Sequence, residues 1–306
     1  MKPARKAITE TLLELAKKDA RIYALATDSR GSVTLDDFAK ELPGQFVECG
    51  IAEQDAVGIG AGLAVAGLKP FVCGPASFYS TRAAEQVKVD VAYSHMDVKI
   101  IGVSGGVSYG ALGGTHHAVQ DIALMRAIPN LQVFLPADAN QAVALTKALA
   151  ASTEPAYVRV GRGAVPDVYG PDAPFEIGKA VKLRAGKDVA LIACGEMVYH
   201  AARAAKLLAS EGIEASVYDM ATIKPLDEAA ILEAAEADAI VTIEEHSIKG
   251  GLGGAVAEVV CQKHPVKMRI LGLPDEPLFN GESKDVFAHY NLTAEGVAQA
   301  AKELIG

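Results

Sequence analysis

Short, continuous apolar runs alternate along this chain with longer stretches whose apolar positions recur every three to four residues. The runs Ile22–Ala26, Phe46–Cys49, Pro70–Cys73, Val98–Val103, Gln132–Leu135 and Ala156–Val160 predict strands. The stretches 7–18, 53–67, Thr81–Ser94, His117–Ala127 and Ala139–Ala151 predict helices. Strands that are apolar throughout, set between helices, indicate a largely parallel sheet covered on both faces. The alternation resumes at smaller scale further on. Strands are predicted at Val189–Ala193, Ala215–Asp219, Ala239–Ile243 and Val266–Ile270, with helices between and after them up to Ala294–Leu304. Between the two series, 163–178 carries Pro166, Pro171 and Pro174 and little apolar periodicity, which predicts a linker. The predicted fold is α/β: two doubly wound, mostly parallel-sheet domains at 1–162 and 179–306.

Parallel sheets collect ligands at the carboxyl ends of their strands. The loops 27–32, 74–80, 104–115 and 161–163 all follow strands and are therefore the places to look for chemistry. Glu53 opens a helix rich in glycine and alanine, from Val57-Gly58 to Ala66-Gly67. Small residues let backbones approach closely, so this helix should pack tightly against another subunit or domain. An acidic residue in a first turn suits the helix dipole. Buried against a ligand instead, such a carboxyl group can share a proton with a heterocycle nitrogen. The glycine-rich loop 104–115 ends in Gly113-Gly114-Thr115-His116-His117. These histidines are candidates for acid/base or anion-contacting work, or for one helix cap and one surface position. Arg82 at a predicted helix start makes sense beside an anion. Arg162 follows the end of a strand and is either a phosphate ligand or one half of a surface ion pair.

Composition narrows the classes. A chain of 306 residues has room for two ordinary domains. A net charge of −9, without a basic run, argues against nucleic acid. Cys49, Cys73, Cys194 and Cys261 lack C-x-x-C spacing, which argues against zinc and disulfides and fits a reducing compartment. No run approaches the roughly 18 apolar residues of a membrane span, and Met1–Lys6 leads into a mixed helix rather than a signal run. The expected location is the cytoplasm.

The segments Gly50–Gln54, Arg82–Val87, Gly113–His116, Asp121–Arg126, Pro136–Asp138, Val158–Gly163, Tyr218–Asp227 and Glu244–Gly254 stand in the order found in the transketolase family. The chain resembles the C-terminal half of a transketolase or of a 1-deoxyxylulose-5-phosphate synthase: a pyrimidine-binding domain followed by the transketolase C-terminal domain. The resemblance implies thiamine diphosphate chemistry. It places Glu53 on the glutamate that hydrogen-bonds N1′ of the aminopyrimidine and so promotes loss of the thiazolium C2 proton. It places Phe78, or else Tyr79, on the aromatic that stacks on the pyrimidine. His116 falls on the active-site histidine. Arg162, Arg82, Arg5 and Ser32 fall near positions that contact the substrate or its phosphate. His246 is expected to be structural.

The departures are as informative. Ala111-Leu112 stands where many relatives carry an acid that reads sugar hydroxyls, Gly114 replaces a common proline, and Ser104 replaces a phosphate-contacting histidine. An altered substrate pocket is expected. No Gly-Asp-Gly, the family's diphosphate and Mg²⁺ motif, occurs in the chain. The resemblance therefore implies a split enzyme. A separate subunit would hold most of the thiamine diphosphate and the Mg²⁺, in an α2β2 particle with this chain as β and no metal ligands of its own. Two other readings share the pattern: the β subunit of a 2-oxoacid dehydrogenase E1, and a non-catalytic partner subunit. The loop Gly-Gly-Thr-His is closer to transketolase than to E1.

Overall fold

The computed structural model describes residues 1–306. Its strands are β1 (Ile22–Ala26), β2 (Phe46–Glu48), β3 (Lys69–Pro75), β4 (Lys99–Val103), β5 (Gln132–Phe134), β6 (Ala156–Val160), β7 (Val181–Arg184), β8 (Val189–Ala193), β9 (Ala215–Asp219), β10 (Thr222–Lys224), β11 (Ala239–Ser247) and β12 (Lys267–Leu273). Seven of them form one sheet in the order β10-β5-β6-β4-β3-β1-β2, parallel except for β10. The other five form a second sheet, β12-β11-β8-β9-β7, parallel except for β7. The fold is α/β with two mostly parallel sheets, as the continuous apolar strands predict.

Three departures from the sequence reading matter. β10 follows β9 in the chain, yet it pairs antiparallel with β5, Thr222 opposite Phe134. The second half thus completes the edge of the first sheet. The helix expected over Thr81–Ser94 breaks after Thr81 and continues as a π-helix over Val87–Tyr93. The helix expected from His117 begins only at Asp121, because the main chain of Ala118 is bonded to Gly106 in both directions.

Packing follows from the alternation of side chains along each strand. In β6, Val158 joins the core under the helices Ala4–Ala16 and Ala139–Ala151, while Tyr157 joins the opposite core. That second core runs without interruption from Ile122 and Met125 to Ile223, Leu252 and Val256, so apolar surface from both halves is buried together. Each fully buried Leu, Ile or Val in it contributes roughly 1.5–3 kcal/mol.

The segment predicted as a linker is held in place. Asp138 caps the helix Ala139–Ala151 by accepting from the Gln141 amide at 2.9 Å, and its other oxygen accepts from the amides of Val168 at 2.7 Å and Tyr169 at 2.8 Å. Asp219, at the end of β9, accepts from the Tyr169 hydroxyl and the Gln141 side chain, both at 2.6 Å. Burial pushes the Asp219 carboxyl up to about 7. One carboxylate from each sheet therefore grips the same stretch of connecting chain. Asp138→Ala is expected to lower stability by about 2–4 kcal/mol, from the lost cap and two orphaned amides. A shift in the midpoint of urea denaturation measures it, and an unchanged midpoint contradicts the pinning role.

Candidate active site

Register brings the site loops together. In the first sheet Ala26 lies opposite Cys73, Pro75 opposite Val103, and Val103 opposite Val160. The segments after β1, β3, β4 and β6 therefore emerge side by side at one sheet edge. At the same edge β2 turns through Gly50, with φ +69°, into the helix Glu53–Val65. Glu53 is only 2% exposed. Gly60 faces the sheet, where an added Cβ would fall 2.9 Å from Val72. Gly58 and Gly62 face open space, and Ile59 and Val65 beside them are exposed. The helix thus packs closely inward and presents a smooth outer face.

From Glu53 the candidate residues form a continuous row. Arg82 donates from Nη1 to Glu53 Oε2 at 2.6 Å. It stands at the C-terminal end of the helix Ala76–Thr81, not at a helix start, so the dipole favours its charge. Its guanidinium lies 4.4 Å from the centre of the Phe78 ring. Phe78 and Tyr79 are successive helical residues about 100° apart around the axis. Phe78 faces the site, and Tyr79 is fully buried in the core. The His116 ring stands edge-on to Phe78 at 5.4 Å and to Tyr109 at 5.0 Å, with Nδ1 at 2.9 Å from Thr115 Oγ1. Tyr109 in turn lies under the Arg162 guanidinium at 5.1 Å.

The row ends in two arginines. Arg5 donates from Nε to the Arg162 carbonyl at 2.9 Å and from Nη1 to the Ser32 carbonyl. Burial, and then the neighbouring Arg162 charge, lower the Arg5 pKa. Arg162 Nη1 is buried with no partner at all. Two guanidinium groups brought together, one with a free buried donor, make a place for an anion. Ser104 sits close in sequence to this loop at φ +58°, fully buried, its hydroxyl also unpartnered. Leu112 is 55% exposed on the turn Gly110–Thr115.

The remaining histidines lie apart from the row. His117 is buried, bonded through Nε2 to the Gly110 carbonyl at 3.2 Å, and burial lowers its pKa. His246 is fully buried among main-chain partners: Nδ1 meets the Ser247 carbonyl at 2.7 Å and Nε2 accepts from the Ala123 amide at 3.3 Å. No group of three or more His, Cys, Asp or Glu side chains is arranged to hold a metal, and no helix is long and apolar enough to cross a membrane.

Comparison with known proteins places this geometry in a family. Residues 2–167 match the transketolase pyrimidine binding domain and residues 178–297 match the transketolase C-terminal domain. The chain belongs to the transketolase family. It is 57% identical over 303 residues to an apulose-4-phosphate transketolase subunit of Phocaeicola vulgatus, covering 98% of this chain and 97% of that one. It is 37% identical over 301 residues to a 6-deoxy-6-sulfo-D-fructose transketolase subunit of a Clostridium species, covering 98% and 94%. Its fold matches a split-gene transketolase, solved as an inactive β4 tetramer, with TM-score 0.93 and 39% identity over 100% and 99% of the two chains.

Two residues of this transketolase subunit escaped the sequence reading. Tyr109 was visible only as an aromatic in a glycine-rich loop. Glu196 follows β8 in the second half, where no site loop was sought. Both line a cleft of about 540 Å³ with Arg162 and Lys284, at the seam between the two sheets. Glu196 packs against Gly161, where a Cβ would fall 1.7 Å from its Oε1. Burial, and then the charge of Glu245, push the Glu196 carboxyl up to about 8. The folded chain therefore keeps a proton that the unfolded chain releases near the ordinary 4.5. Stability from this group is complete at low pH and declines as pH rises from about 4.5 towards 8. Glu196→Gln is expected to raise the melting temperature at the upper end of that window and to leave it nearly unchanged at the lower end. Equal shifts at both ends would contradict this.

Proposed function

We propose that this chain is the β-type subunit of a split transketolase, moving a two-carbon ketol unit from a ketose donor to an aldose acceptor. The observation that carries the proposal is the buried Glu53 carboxylate joined to the Phe78 ring through one planar guanidinium, in a chain that lacks Gly-Asp-Gly. The fit to thiamine diphosphate rests on these residues. A planar nitrogen donor already lies on Glu53 and over Phe78, in the form of Arg82, so the pair accepts a flat, nitrogen-rich ring. Glu53 would hold N1′ of the aminopyrimidine and Phe78 would hold its face. When bound, thiamine diphosphate supplies a carbon nucleophile that attacks the donor carbonyl.

The residues of this chain then divide the work. Glu53, at a helix start and shielded from water, would share the N1′ proton with the ring. His116, fixed against Phe78 and Tyr109, is placed to hydrogen-bond a donor hydroxyl or the reacting oxygen. Arg162, Arg5 and the Ser32 loop take a phosphate at the far end of the row. Leu112 and Ser104 set the pocket apart from that of ordinary pentose-phosphate enzymes. Apulose 4-phosphate, which the 57%-identical relative carries in its name, is the first substrate to test. The transketolase subunits among the relatives favour ketol transfer over the 2-oxoacid dehydrogenase and non-catalytic readings.

A separate subunit bearing the Gly-Asp-Gly motif would hold the diphosphate and Mg²⁺, in an α2β2 particle in the cytoplasm. The smooth outer face of the helix Glu53–Val65, with Ile51 75% and Val65 75% exposed, supports such an interface. Calorimetry with thiamine diphosphate and Mg²⁺ tests the arrangement: binding is expected for this chain mixed with its partner and not for this chain alone. Tight binding by the single chain overturns the split. In the reconstituted complex Glu53→Gln is expected to lower ketol transfer by about 10²–10⁴-fold, and full activity in that variant would sink the mechanism.

A further inference from the structure

One side chain occupies the place assigned above to the aminopyrimidine. Arg82 donates to Glu53 at 2.6 Å, and the same guanidinium lies 4.4 Å from the centre of the Phe78 ring. A guanidinium resembles an aminopyrimidine in the two properties this place reads. It is flat and stacks on an aromatic face, and, like the ring once N1′ is protonated, it presents an N–H donor in its own plane. We propose that Arg82 is a positioning residue that fills the aminopyrimidine's place in the unloaded subunit and yields it when thiamine diphosphate enters. The proposal rests on the thiamine diphosphate reading.

The energetics favour such a placeholder. Glu53 is 2% exposed, and a buried carboxylate without a partner is costly. Arg82 supplies that partner, yet its own side chain remains 46% exposed, so it has an open path to solvent. Its one side-chain hydrogen bond is the one to Glu53. Exchange of one planar donor for another leaves the carboxylate paired on both sides of the binding step. Arg82 is bonded to Glu53 at one end of the row, whereas Arg5 and Arg162 meet at the other. Its charge therefore serves Glu53 rather than a substrate phosphate.

The test uses the complex of this subunit with its partner. Titration with thiamine diphosphate and Mg²⁺ is expected to show about fivefold tighter binding for Arg82→Gln, the factor for freeing an ion pair with one exposed member. Arg82→Lys keeps the charge but not the flat, stacking donor and is expected to fall between wild type and Arg82→Gln. A second readout uses the free subunit. Arg82→Gln should lose more thermal stability at neutral than at acid pH, because a buried carboxylate without its counter-charge opposes folding only when ionised. Adding Glu53→Gln to that variant should remove the pH dependence. Equal or weaker cofactor binding by Arg82→Gln, with normal binding by wild type, overturns the placeholder role and leaves the thiamine reading intact. Absence of the pH-dependent loss also overturns it. No binding by the wild-type complex overturns both readings.

Discussion

A buried ion pair between the two sheets determines where the site can be. Arg159, in β6, reaches across the seam and donates to the Glu245 carboxylate in β11 at 2.8 Å and to the Glu245 carbonyl at the same distance. Asp121, which accepts from the Tyr157 hydroxyl at 2.8 Å, stands on its other side. The second Glu245 oxygen accepts from the Val107 amide at 2.8 Å, so the pair also anchors the loop that carries Tyr109 and His116. A Cβ on Gly106, at φ +61°, would fall 2.0 Å from the Glu245 carboxyl carbon. Gly105 and Gly106 leave room for the ion pair, which passes directly beneath them. Such a pair adds little net stability over an apolar substitute, but losing one partner costs about 3–5 kcal/mol. Its effect is to fix one relative placement of the sheets and, through Val107, one placement of the loop that carries Tyr109 and His116.

Much of this was legible in the sequence, for reasons that differ from residue to residue. The central strands are apolar on both faces and need no tertiary context to be read. β7 and β10 are short edge strands with charged residues, and their partners are supplied only by the fold. Glu53 could be singled out because a carboxylate before a run of small residues is unusual locally. Arg82 could be singled out too, but its place at a helix end rather than a helix start was hidden. The break after Thr81 depends on packing, not on propensity. The meeting of Arg5 with Arg162 joins residues 157 apart in the chain, a proximity that no local pattern encodes. Tyr109 and Glu196 were missed for the same reason, since Tyr109 meets Arg162 and Glu196 meets Gly161, both far away in the chain.

The row from Glu53 to Arg5 has one side. Its members touch each other along a sheet edge, while Ile51, Leu112 and the outer face of the helix Glu53–Val65 remain open to water. The groups proposed to face the ring and the phosphate thus already stand together along one sheet edge, and only the opposing surface is left for the proposed partner to bring. Assembly then closes a site whose geometry already exists, which limits the ordering cost of forming it.

The placement of β10 bears on where a gene for such an enzyme can be cut. A strand from the second half completes the first sheet, and one continuous core is shared between both halves. Separating the chain near residue 178 would strip the first sheet of an edge strand and leave β5 with unpaired backbone groups, a template for aggregation. It would also split a single apolar core into two wetted faces. A transketolase divided into two polypeptides keeps these contacts only where the cut avoids that junction. The two domains of this chain therefore form one folding unit.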